Sequence, residues 1–251
     1  MAGKLLEQGM LEIALFCGAW FVAGVVNNLA GFGAAMVAMP LVAFAIPLEV
    51  AVPSSTLIVL TLNLQLGWAY RRHVDWLAMR FLIPGGIAGV AVGLLIMRDV
   101  SNEELKLAMG LLLIAYGLVS LLRPGSFQGS GVGRVWGLAA GFCSTLLGVL
   151  FGFNGPPLAV FTSMGGWSQQ AAKGILGACF IVTGITIVAG QTLAGVQTAR
   201  TLTYYAAGCP AVLLGGGVGI LASRFVTQNV YRKLVLLLIL AAGVAVTYSS
   251  I

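Results

Sequence analysis

The chain has 251 residues, a mean hydropathy of +1.02 and only 8% charged residues, against roughly 25% in an average soluble domain. So few charges cannot cover a water-facing surface of this size, which excludes a soluble globular protein and leaves an all-α polytopic membrane protein whose apolar side chains are solvated by lipid. The net charge of +6 comes without a basic cluster beyond Arg71-Arg72 and Arg232-Lys233, so no nucleic-acid partner is expected, and cytoplasmic loops rich in Lys and Arg account for the excess.

At the N-terminus, Lys4 is followed by Glu7 and Glu12 and then by an apolar run too long for a cleaved signal, so a retained first membrane segment is predicted. Charges punctuate the remainder of the chain. Uncharged runs cover 13–48, 50–70, 81–97 and 107–122, and then 135–172, 174–199, 201–223 and 234–251. Each series has one very long run and three of about single-span length, since a span takes about 20 apolar residues. The stretch from Arg123 to Arg134, rich in Gly, Pro and Ser, reads as a polar linker. The predicted organisation is a first membrane repeat at 1–123, a linker at 124–134 and a second repeat at 135–251.

A shift of 126 positions superposes Pro84 on Pro210, Gly89 on Gly215, Gly93 on Gly219, Arg98 on Arg224 and Gly117 on Gly243. Nearer the N-terminus a shift of 121 superposes Gly31-Phe32 on Gly152-Phe153. Pro, Gly and Arg matching in one frame point to internal duplication rather than to shared composition.

A straight helix over the first long run, 13–48, would reach about 54 Å, whereas the hydrocarbon core is about 30 Å thick. Each long run must therefore break. Gly and Pro mark the places, within 31–35 (Gly31-Phe-Gly33-Ala-Ala35) and within 152–157 (Gly152-Phe-Asn154-Gly-Pro-Pro157). The prediction is a full helix over 13–29 and another over 135–151. A short apolar segment comes after each, 33–47 and 156–166, as a thin crossing or as part of a re-entrant hairpin. With four crossings per half, the 13 Lys and Arg residues divide seven to six between the two sides. With five, they divide nine to four, with Arg71, Arg72, Arg80, Arg123, Arg134, Lys173, Arg224, Arg232 and Lys233 together. The positive-inside rule favours five, and an odd number makes the halves inverted repeats.

Paired helix breaks inside a bilayer are the strongest sequence pointer to a transport site, because a broken helix frees backbone polar groups and its N-terminus carries about half a positive charge. The candidate binding residues at the breaks are Asn28, Gly31, Phe32 and Gly33, and Phe153, Asn154 and Gly155. Ser54, Ser55, Gln65 and Gln191 are polar residues in apolar spans that should face the bundle interior, where they bind solute or link helices; Gln65 and Gln191 also correspond under the 126 shift. Lys173, at the head of its span, is either an anion contact or a snorkelling lysine.

Other chemistries find little support. His73 is the only histidine, and no metal ligand set, catalytic triad or Walker sequence is present. Neither a metal nor another cofactor is expected, nor an enzymatic activity. Cys17, Cys143, Cys179 and Cys209 form no Cys-x-x-Cys pair and read as small hydrophobes, leaving a membrane thiol-redox relay as an alternative.

The chain resembles the TauE/SafE family of sulfite and organosulfonate exporters. The resemblance is carried in order by Gly31-Phe-Gly-Ala-Ala-Met-Val-Ala-Met-Pro40, Ala51-Val-Pro-Ser-Ser55, Arg71-Arg-His-Val-Asp-Trp76, Pro84-Gly-Gly-Ile-Ala-Gly-Val-Ala-Val-Gly93 and Arg224-Phe-Val-Thr-Gln-Asn-Val-Tyr-Arg-Lys233. Departures fall at the breaks, where the family has a fuller Gly run, and at Ala171-Ala-Lys-Gly174, where a Thr-Ser pair is common in the family. The resemblance implies a multi-pass protein of the bacterial inner membrane, with a homodimer as one assembly. Its partner would be a small anionic solute: a sulfur oxyanion or sulfonate, exported, or a small carboxylate.

Overall fold

The computed structural model describes residues 2–30, 33–74, 76–122, 133–165, 167, 169–222 and 228–250. Within them the chain is helical and contains no strand. The helices are α1 (Ala2–Ala30), α2 (Ala34–Ala45), α3 (Leu48–Tyr70), α4 (Trp76–Met79), α5 (Leu82–Asp99), α6 (Asn102–Leu122), α7 (Arg134–Phe151), α8 (Gly155–Met164), α9 (Gln169–Leu193), α10 (Ala199–Ala222) and α11 (Gln228–Ser249), with a single 3-10 turn at Arg71–His73. Among the described residues, five helices, α1, α5, α6, α7 and α9, are long and apolar enough on length and composition alone to cross a membrane. Leu11, Ile87, Leu95, Leu111, Leu214 and Leu237 are among the large apolar side chains left on the outside. That is the expected surface for a body facing lipid rather than water.

Glycines set the helix pairing. A Cβ at Gly89 of α5 would run into the Phe142 carbonyl of α7, and one at Gly215 of α10 would run into the Phe21 carbonyl of α1. These two contacts are related by the sequence offsets, 126 from Gly89 to Gly215 and 121 from Phe21 to Phe142. Likewise Gly117 faces Leu240, and Gly243 faces Ile114. Such seams bring backbones close together, and in lipid dispersion contact across them replaces the hydrophobic drive available in water. Residue numbers rise together along α1/α10 and α5/α7, so these pairs are parallel; they run oppositely along α6/α11, where Gly110 meets Thr247 and Gly117 meets Leu240, so that pair is antiparallel. Along α3/α9, Gly67 meets Ile181 while Thr56 reaches Gln191, again antiparallel.

This order fixes two ends. One holds Glu12, hydrogen-bonded to Tyr204 and Arg200, Glu49, hydrogen-bonded to Asn102, and the α9–α10 turn. The other holds Arg71, Arg72, Arg80 and Arg134, with both Arg80 and Arg134 over the Phe81 ring. Trp68, Trp76 and Trp136 are exposed at this second end, where aromatic rings mark a membrane–water boundary.

Ala34, Ala35 and Gly155 to Pro157, predicted to lie within the breaks, already belong to α2 and α8. Gly33 and Gly152 have φ of 100° and 74°, the left-handed region that a Cβ disfavours. At 12 and 10 residues, α2 and α8 extend about 18 and 15 Å, half of the ~30 Å core. Each therefore starts in the interior, with α2 running out to the Glu49 end and α8 to the Arg71 end.

Candidate functional site

The two starting points meet. Gly33, Ala34 and Ala35 at the head of α2 and Phe153, Asn154 and Gly155 at the head of α8 line one cavity, together with Asn27 of α1, Val59, Leu62 and Asn63 of α3, and Phe180 of α9. Its volume is about 20 Å³, room for roughly one or two waters. None of these lining residues is charged.

The polarity of the cavity comes from dipoles and amides. The first N–H groups of a helix have no partner in the helix itself. At α2 these include Ala34, Ala35 and Met36, and no side chain caps them. At α8 the prolines at 156 and 157 remove two of the four, leaving Asn154 and Gly155. The helix heads thus differ: α2 supplies more backbone donors, and α8 supplies the Asn154 side chain. Ser144 Oγ donates to the Asn154 carbonyl at 2.9 Å, and Asn154 Nδ2 donates to Thr183 Oγ1 at 2.9 Å, which in turn donates to the Cys179 carbonyl at 2.8 Å. That chain fixes the amide with one edge committed to α9. Asn63 is only 5% exposed, and its Nδ2 has no hydrogen-bond partner among the described residues. An unpaired buried amide donor costs about 1–3 kcal/mol, and this one stands in the wall of the cavity.

Of the residues singled out in the sequence, Gly33, Phe153, Asn154 and Gly155 come together here. Gly31 and Phe32 lie outside the described residues, as do the side chains of Asn28, Gln65 and Lys173. Ser54 is buried away from the cavity and donates to the Val50 and Ala51 carbonyls of its own helix. Ser55 and Gln191 are fully buried and also absent from the lining. Asn27 and Asn63 join Asn154 as amides in the wall. Their signal in the sequence, an Asn in an apolar run, is shared with several neighbours.

The cysteines are all free: Cys179 is buried in an apolar cluster, Cys143 is exposed on the outer face of α7, and the Cys17 thiol donates to the Ala207 carbonyl at 3.4 Å. Nothing in this arrangement favours the thiol-redox alternative.

Helices interrupted at mid-depth, heads converging on a small cavity with three Asn in its wall, define a polytopic membrane protein of the transporter class. The sequence profile of the family described as sulfite exporter TauE/SafE matches residues 16–246, and the chain belongs to that family. Searches of curated proteins and of solved structures gave no match.

Proposed function

We propose that this protein is a secondary transporter of a small anion, a sulfur oxyanion or sulfonate by preference, held at mid-depth between the heads of α2 and α8. The observation that carries this reading is the unpartnered Asn63 Nδ2 in a cavity wall that also presents two helix N-termini and the Asn154 amide. Donors and positive dipole ends attract an oxyanion, while the lack of a lining cation lets it leave again. The cavity is smaller than such a solute, so binding requires side chains around it to move apart.

The two halves are read as inverted copies, each contributing one helix head, within a bacterial inner membrane. The Arg71 end, with seven of the Lys and Arg positions among the described residues against four at the Glu49 end, faces the cytoplasm, and export moves solute toward the Glu49 end. A small carboxylate presents similar oxygens and is the second candidate.

Flux assays in proteoliposomes with sulfite, a small sulfonate and a small carboxylate test this. One of the three should move, and Asn154→Ala should weaken its half-saturation by about 10-fold or more, since a hydrogen bond to a charged group contributes about 1.5–3 kcal/mol. Absence of flux for all three, or flux unaltered in Asn154→Ala, contradicts it.

A further inference from the structure

A second cavity, of about 300 Å³, opens at the Glu49 end between Glu49, Leu94, Met97, Arg98 and the turn Ala194 to Val196 with Thr198. Arg98 forms no ion pair among the described residues, and the one carboxylate in the wall, Glu49, already accepts from Asn102 Nδ2 at 2.8 Å. Between this vestibule and the central cavity lies the α3/α9 seam. Gln191 Oε1 accepts from Thr56 Oγ1 at 2.8 Å and from Gln197 Nε2 at 3.2 Å, so three side chains close the seam. Among the described residues, Gln191 Nε2 and Gln197 Oε1 of this cluster are buried without a partner, as is the Oγ of Ser55, the residue before Thr56 on α3. Buried polar atoms of this kind take a polar partner from outside the protein, water or a passing solute. The helical stripes connect the two cavities. On α3, Thr56 shares a face with Asn63 seven residues on, and Ser55 lies one turn from Val59; on α9, Gln191 lies two turns from Thr183.

We infer that the vestibule is the docking site for the oxyanion on the Glu49 side, drawn by Arg98, and that the Thr56–Gln191–Gln197 cluster is the barrier between it and the central cavity. This extends the reading of the central cavity as the solute site. Ser55 and Gln191 then belong to the route rather than to the binding site.

Thiol labelling tests it without depending on transport. With the four native cysteines replaced, Val196→Cys or Ser55→Cys is introduced and treated from the Glu49 side with a membrane-impermeant methanethiosulfonate bearing a sulfonate. Val196→Cys should react promptly, and Arg98→Gln should slow it severalfold toward this anionic reagent but not toward a neutral one. Ser55→Cys should react slowly, and at least tenfold faster when combined with Gln191→Ala or, should that variant fold poorly, with Thr56→Val. Equal slowness at position 55 in the folded barrier variants, or an Arg98→Gln effect identical for both reagents, overturns the inference. A protein that labels as expected yet moves no anion would leave the route standing and remove the central-site reading instead.

Discussion

At the scale of single residues, the site rests on two amides in different situations. Asn154 is held by Ser144 and Thr183, whereas Asn63 Nδ2 has no partner among the described residues. Asn63→Leu therefore removes an orphan donor, and its effect separates structure from binding. The variant should be at least as stable as the parent in a thermal melt, because the desolvation cost of about 1–3 kcal/mol is relieved. Anion binding, read by ligand-induced thermal shift, should weaken by about tenfold or more. A variant that is destabilised and binds normally would make Asn63 a structural residue. In the sequence, Asn63 is one polar residue in a run of Leu, Val and Thr, with nothing to rank it above its neighbours. Which face of α3 looks inward depends on packing against α9 and α10, a register that sequence spacing does not fix. Ser54 illustrates the converse: polar, intramembrane and buried, it is satisfied by the carbonyls of its own preceding turn, which sequence spacing cannot distinguish from a ligand contact.

At the scale of elements, the breaks are legible because Gly and Pro act on the backbone locally. Gly33 and Gly152 sit at positive φ, and the pair Pro156-Pro157 opens α8, so both interruptions follow from residue chemistry. Sequence alone draws their bounds too wide because Ala34 and Ala35 are good helix formers that continue α2 rather than extend the break. The length of α2 and α8 is legible, but whether they traverse is not; only their starting points in the interior answer that. The close helix seams give a direct test of packing. A Cβ at Gly215 would collide with backbone of α1, whereas one at Gly217, two residues away on the same helix, meets open space. Gly215→Ala should lower stability by about 1–3 kcal/mol through overpacking, and Gly217→Ala should be neutral or slightly stabilising because Ala favours helix. Equal melting temperatures for the two variants in detergent would refute the seam.

At the scale of the whole molecule, the arrangement is a bundle whose long helices pair in parallel or antiparallel fashion around two half-depth helices. Equivalent helices under the sequence offsets, α3 with α9 and α6 with α11, run in opposite directions, and the short helices leave the centre toward opposite ends. Such a form presents the same kind of helix head to the centre from both sides, which is what access from alternate sides requires. On this reading a small oxyanion rests between those heads. That placement is tested most directly by crystals of the protein grown or soaked with selenite, the heavier analogue of sulfite, and an anomalous difference map. The expected result is a peak enclosed by Gly33 to Ala35, Asn63 and Phe153 to Gly155. A map with selenium only at the vestibule or the outer surface, at concentrations that saturate transport, would contradict it.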